Sequence, residues 1–286
     1  MKLHVVHHIT YRYPSPVVLA PQHILMRPRE NHHVSVVSYA LTTEPETKLF
    51  WSRDHHENSL AVAYYYDKVE QFGVRAEFVV ETLERNPFEF VVRLDASRYP
   101  FDYMPAENAL LSPYRDTPDG KSRPLLAWMR SALPEFPEDS LELLTQLNQV
   151  IREQVHYRPR MEPGVQTPEE TIRRKSGTCR DFANLMMQAC HALGLAARYV
   201  SGYLYDPTND PDVSPGSLHA WTEVYLPGAG WKGFDPTHAI LTDDHFIPIA
   251  VGRGPANLGP VSGAFWGPKD TRSEMETSLV IREVTD

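Results

Sequence analysis

A chain of 286 residues, 42% hydrophobic and 10% aromatic, is long enough for two ordinary domains and too apolar for disorder. Its formal charge of −9, with no basic run to offset it, argues against a nucleic-acid partner. The two cysteines make no disulfide framework, residues 1–8 hold no signal-peptide apolar core, and no run approaches membrane-spanning length, so a soluble, reducing, cytoplasmic setting without a membrane partner is expected.

Residues 1–95 read as all-β. Leu3, Val5, Ile9, Tyr11 and Tyr13 share one parity of an alternating strand, and further strands are predicted at 17–26, 34–42, 48–51, 59–66, 74–83 and 88–94. About seven short strands with turn breaks between them predict an antiparallel β-sandwich over 1–96. The pairs His7-His8, His32-His33 and His55-His56 put neighbours on opposite faces of a strand, so no pair offers two same-face metal ligands. Pro100, Pro105, Pro113, Pro118 and Pro124 mark 97–124 as a linker laid over the surface. Helices follow. One is predicted at 125–133. Another opens at Asp139, with Leu144, Leu147, Val150, Ile151 and Val155 as its inner stripe, and a third opens at Thr167-Pro168-Glu169-Glu170.

The chemistry concentrates in 177–238. Phe182, Leu185, Met186, Ala189, Cys190 and Leu193 form a buried helical stripe, and Gly194 follows as its stop. Thr178 with Asp181 three residues on has the start signature, which sets Cys179 in the first turn, where free N–H groups and the helix dipole favour a thiolate. Cys190 lies on the stripe and reads as a core thiol.

Two strands come next. His219, Trp221, Glu223 and Tyr225 share one face of 219–226, and the turn 227–230 leads into the returning strand 231–235. If Tyr225 faces Trp231, then Trp221 faces Asp235, and His219 lies diagonally from Asp235 on the same face, within reach of long side chains. A one-residue slip would separate them. Asp181 and Glu223 are rival carboxylates: capping accounts for the first, and its place further along the strand for the second. The loop 206–212 carries several carboxylates but lacks the glycine and terminal glutamate of an EF-hand, and reads as a solvated rim.

Gly177-Thr178-Cys179-Arg180-Asp181-Phe182-Ala183, the strand from Ala196 to Tyr203, His219-Ala220-Trp221-Thr222-Glu223-Val224 and Gly233-Phe234-Asp235-Pro236-Thr237 together resemble the bacterial transglutaminase-like family, from about Leu141 to Phe265. The resemblance implies a papain-like catalytic fold with Cys, His and Asp in this order. It also covers Asp54-His55-His56-Glu57-Asn58, similar to a turn of the family's N-terminal domain with Glu57 in place of glycine. Members usually carry Gln where Arg180 stands and Asn where His238 stands. The expected fold class is therefore α+β: the β-sandwich at 1–96, the Pro-rich linker at 97–124, and at 125–286 a papain-like transglutaminase catalytic domain whose nucleophile helix packs on an antiparallel sheet.

The expected activity is acyl transfer on a peptide or amide-containing substrate, with Cys179 as nucleophile, His219 as base and acid, and Asp235 as its orienter. The backbone N–H of Cys179 is one oxyanion donor; Tyr157 and Gln166 are candidates for the second, and Trp221 for the substrate side. No cofactor and no metal are expected. What the family implies for bacterial members favours water as acceptor, a cysteine peptidase or amidase. A transglutaminase using an amine, and a non-catalytic binding module, are the alternatives. Oligomeric state is not encoded in any motif.

Overall fold

The computed structural model describes residues 1–83, 86–115, 123–160, 164–207 and 216–284. Its N-terminal part comprises β1 (Lys2–Leu19), β2 (Gln22–Ile24), β3 (Val34–Glu44), β4 (Leu49–Arg53), β5 (Ser59–Ala63) and β6 (Val69–Thr82). The first predicted strand and the start of the second are one continuous β1. Pro14 and Pro16 fall where its ladder to β6 shifts, between Arg12 and Val17, because a proline has no N–H to give a neighbouring strand. Leu3, Val5, Ile9, Val74, Phe78 and Val80 point inward and are buried.

Residues 88–94 alternate like a strand but do not form one. Instead Arg93 N–H donates to Pro227 O at 2.7 Å and Lys232 stacks on the Phe90 ring, so the segment lies along the 227–230 turn. The stretch expected to be a plain linker holds α1 (Pro105–Leu111), and it is strapped down: Tyr103 is buried, accepts from Ala196 N–H at 2.9 Å and donates to Tyr225 O at 3.1 Å. Residues 116–122 lie outside the described residues.

The chain continues as α2 (Arg123–Ala132), α3 (Ser140–Gln154), β7 (His156–Tyr157), α4 (Pro168–Arg174), β8 (Ser176–Gly177), α5 (Cys179–Ala192), β9 (Ala197–Tyr205), β10 (Gly216–Leu226), β11 (Gly230–Asp235), β12 (Ile240–Leu241) and β13 (Phe246–Gly252). Asp139 caps α3 by accepting from the N–H groups of Leu141 and Glu142, and Thr167 caps α4 through Glu170 N–H, as their sequences foretell. The sheet runs β12-β11-β10-β9-β13, antiparallel throughout. α5 packs on it, fixed by Thr222 Oγ1–H donating to Ala183 O at 2.7 Å.

The C-terminal end corrects the expected division. β14 (Val261–Ser262), β15 (Phe265–Trp266) and β16 (Glu274–Glu283) pair with β2, β1 and β1, so the sandwich is completed from the far end of the chain and 125–286 is not one unit. The sheets are β15-β1-β6-β3, with β16 on β1, and β14-β2-β5-β4. Where the sandwich meets the catalytic sheet, His7 and the Tyr203 hydroxyl share a 2.9 Å hydrogen bond and Tyr203 packs on Phe78. Asn58 is fully buried and bonds both the N–H and the C=O of Val251. That explains the 54–58 turn: Asp54 accepts from the N–H groups of His56 and Asn58, and Glu57 holds the left-handed φ of 61° where the family's glycine would be.

Candidate active site

Cys179 is the first residue of α5 and is nearly buried. Asp181 builds the helix start beneath it, its Oδ2 accepting from Thr178 N–H at 2.8 Å and Thr178 Oγ1–H at 3.0 Å. Its other oxygen accepts from Gln166 N–H at 2.8 Å and Arg160 at 2.7 Å. Burial raises the Asp181 carboxyl, but Arg160 and these N–H donors outweigh it and hold the group below the usual range. A Cβ on Gly177 would sit 2.7 Å from the Asp181 Cβ, so glycine is what lets β8 run so close. Asp181 is thus a structural carboxylate, as its capping position predicts.

The hairpin has the expected register. Tyr225 faces Trp231 and Thr222 faces Phe234, which one step on sets Trp221 opposite Asp235. His219 Nε2–H donates to Asp235 Oδ2 at 2.9 Å, and Cys179 is near enough to favour the charged form of the His219 ring. With Nε2 given to the carboxylate, Nδ1 is the ring nitrogen left for the sulfur. Asp235 is fully buried and receives two further bonds: Thr237 N–H at 2.9 Å on Oδ1 and His238 Nδ1–H at 2.6 Å on Oδ2. Burial opposes charge on His219, yet the Asp235 carboxylate and Cys179 prevail and raise its pKa. The same balance, led by burial and reversed by His219 and His238, lowers Asp235. Both shifts favour the charged pair, an imidazolium facing a carboxylate. The other rival, Glu223, is occupied by Arg198 Nε–H at 2.6 Å.

Of the other sequence-predicted residues, only Tyr157 is set beside the sulfur. It pairs with Gly177 in the β7–β8 ladder, is half-exposed, and its phenol pKa is raised by burial and by Cys179. Gln166 is a brace: its Oε1 accepts from Thr171 Oγ1–H and its C=O from Asn184 Nδ2–H, which ties α4 to α5. Trp221 is 1% exposed, too deep to touch substrate; it stacks along His219 with centroids 6.4 Å apart and meets Phe246 edge-on. Sequence reasoning missed Arg160, whose partner lies 21 residues on, and Phe246, which packs on His219 from β13. It noticed His238 only as a departure from a family pattern.

Among the described residues, two groups bring potential metal ligands within 4.8 Å of one another: His219, Asp235 and His238, and Asp243, Asp244 and His245. None of the paired histidines belongs to either group. Of the acidic loop 206–212, residues 208–212 lie outside the described residues. A cavity of about 500 Å³ adjoins the site, walled by Arg158, Arg160, Gln166, Arg174 and Gly177.

A strand-rich N-terminal region joined to a domain whose cysteine-bearing helix packs on an antiparallel sheet makes an α+β protein with a transglutaminase-like core. Residues 131–236 match the transglutaminase-like superfamily, and residues 3–81 match the bacterial transglutaminase-like N-terminal region. The chain thus carries a match to a transglutaminase-like core and one to a bacterial transglutaminase-like N-terminal region. It is 24% identical over 275 residues to an uncharacterized protein of Mycobacterium leprae, an alignment covering 93% of this chain and 94% of that protein. An uncharacterized protein of Mycobacterium bovis is 36% identical over 104 residues, 34% of this chain and 33% of that one. Among solved structures, a "putative cysteine protease" from Cytophaga hutchinsonii superposes with a TM-score of 0.71 at 20% identity, covering all of this chain and 92% of that one, a likeness of fold.

Proposed function

We propose that the protein cleaves amide bonds through a Cys179–His219–Asp235 triad, as a peptidase or amidase acting on a peptide or amide-containing substrate. The observation that carries this reading is the buried 2.9 Å pair of His219 and Asp235 beside a cysteine that opens a helix. The Cys179 sulfur attacks the carbonyl carbon, forming a C–S bond while the carbonyl oxygen takes the electron pair. The Cys179 backbone N–H, free because it opens a helix, and the Tyr157 hydroxyl are the donors to that oxygen. His219 then delivers its proton to the departing amine as the C–N bond breaks and a thioester remains. Water, deprotonated by His219, attacks the thioester; the C–S bond breaks, the acid leaves and the sulfur is regenerated. Asp235 keeps the imidazolium oriented throughout and is not itself protonated.

The test is mass spectrometry of Cys179 after incubation with a panel of short peptides and primary amines. An acyl increment that disappears into free acid supports hydrolysis. Its transfer to an amine in preference to water would make the enzyme a transglutaminase, and the absence of any adduct or turnover across the panel would favour a binding module.

A further inference from the structure

We propose that His219, Asp235 and His238 form an inhibitory zinc site. Three ligand atoms already converge: Asp235 Oδ2 lies 2.9 Å from His219 Nε2 and 2.6 Å from His238 Nδ1, and all three atoms fall within 4.8 Å of one another. Two imidazole nitrogens and one carboxylate oxygen are a donor set suited to zinc, which in open sites takes three protein ligands and leaves the fourth position to water. Zinc–ligand bonds of about 2.1 Å in tetrahedral geometry place ligand atoms about 3.4 Å apart, so the existing contacts need to open by less than 1 Å. His238 can supply that movement, because its side chain is 45% exposed while those of His219 and Asp235 are 4% and 0%. The exposed ring also gives the ion its way in and leaves the open position toward solvent. Asp235 is held from behind by Thr237 N–H on its other oxygen, the kind of outer hydrogen bond that orients a ligating carboxylate.

The metal takes the place of the ring protons now directed at Oδ2: each imidazole binds through the nitrogen facing the carboxylate and carries one proton on the other nitrogen, and any second proton passes to solvent. A zinc-bound His219 can neither accept a proton from Cys179 nor be held as imidazolium by Asp235. Turnover stops until the metal is removed, a consequence that rests on the roles proposed above, whereas binding itself does not.

Zinc affinity of the full chain is to be measured by competition with a chromogenic chelator. Cys179→Ala should bind zinc as the wild type does, which separates this site from an ordinary thiolate–imidazole pair. His238→Asn should weaken binding at least about tenfold, since it removes a ligand. Cobalt in the wild-type chain should give tetrahedral visible bands without a thiolate charge-transfer band, a reading that stands even if His238→Asn folds poorly. Loss of binding in Cys179→Ala, or a thiolate band with cobalt, overturns the proposal in favour of a Cys179–His219 site. Unchanged affinity in His238→Asn overturns it in favour of Asp243, Asp244 and His245, and a wild type that binds no zinc overturns it outright.

Discussion

Cys179 and Cys190 stand on the same helix in different surroundings. Cys190 is fully buried in the α5 core and burial pushes its thiol up, while Cys179 opens the helix beside His219. Iodoacetamide should therefore label Cys179 much faster than Cys190; equal labelling by peptide mapping would remove Cys179 as the nucleophile. The carboxylates divide in the same way. Asp235→Asn should lower kcat/KM roughly 10²–10⁴-fold with a modest change in Tm, because it keeps the shape of the hairpin and loses the charge that holds His219. Asp181→Asn should do the reverse. Sequence reasoning allows an Asn to maintain the helix start, but the buried Asp181–Arg160 pair means the substitution costs about 2 kcal/mol or more and is read as a fall in Tm, with alkylation of Cys179 little changed. If Asp181→Asn slows alkylation as much as Asp235→Asn, the roles assigned to the two are wrong. Tyr157→Phe should cost about 10² in kcat at unchanged KM if its hydroxyl serves the oxyanion, and nothing if it is a wall.

The elements that carry the site were legible where their signal is local. The 3.6-residue stripe and the Thr178–Asp181 start fix α5, and a short turn fixes the hairpin register, so Cys179, His219 and Asp235 could each be placed before any coordinates. Residues 88–94 were misread because alternation predicts a strand only when another strand is there to pair with it, and here the neighbour is a turn. Gln166 shows a related limit: the hydroxyl that donates to its side-chain oxygen sits on the following helix, where spacing gives no cue. One glycine tests how tightly the elements fit. Gly202 lies opposite His219 on β9, and a Cβ there would meet the Ile247 carbonyl and come 2.7 Å from the Trp221 ring. Gly202→Ala should lower stability by about 1–3 kcal/mol and, by displacing the ring that stacks on His219, lower kcat/KM as well. A variant as active and as stable as the wild type would show that Trp221 does not set the position of His219.

At the scale of the whole molecule, pH acts through groups in different places. His7 is buried at the seam between sandwich and catalytic sheet, bonded to Tyr203 and Thr277, and burial, aided by the His8 charge, lowers its pKa from 6.5 to about 4. Its folded value lies below the unfolded one, so its contribution is present above pH 6.5 and is lost as pH falls toward 4. His219 has the opposite sign: its contribution is full below its unfolded value and fades as pH rises through the raised folded one, while the lowered Asp235 loses its own only in strong acid. The Tm of the wild type should therefore fall between pH 6.5 and 4, and His7→Gln should flatten that fall; an unchanged slope would place the acid-sensitive group elsewhere. None of this seam was readable beforehand. Neither β1 nor β16 carries a cue to a partner at the other end of the chain, and the sequence-based boundaries failed there for that reason.

That pairing gives the protein a clock. β1 leaves the ribosome well before β16, and at about 5–20 residues per second the stretch between Leu19 and Glu274 takes roughly 10–50 s to synthesise. Once β6 has joined it on one side, β1 keeps on the other a row of unpaired backbone groups until β16 is made, the kind of edge that recruits foreign strands. The catalytic sheet can form earlier, since its own five strands end at Gly252. A nascent or truncated chain thus acquires its reactive cysteine before its frame is closed, and its hazard in that interval is aggregation through β1 rather than failure to build the site.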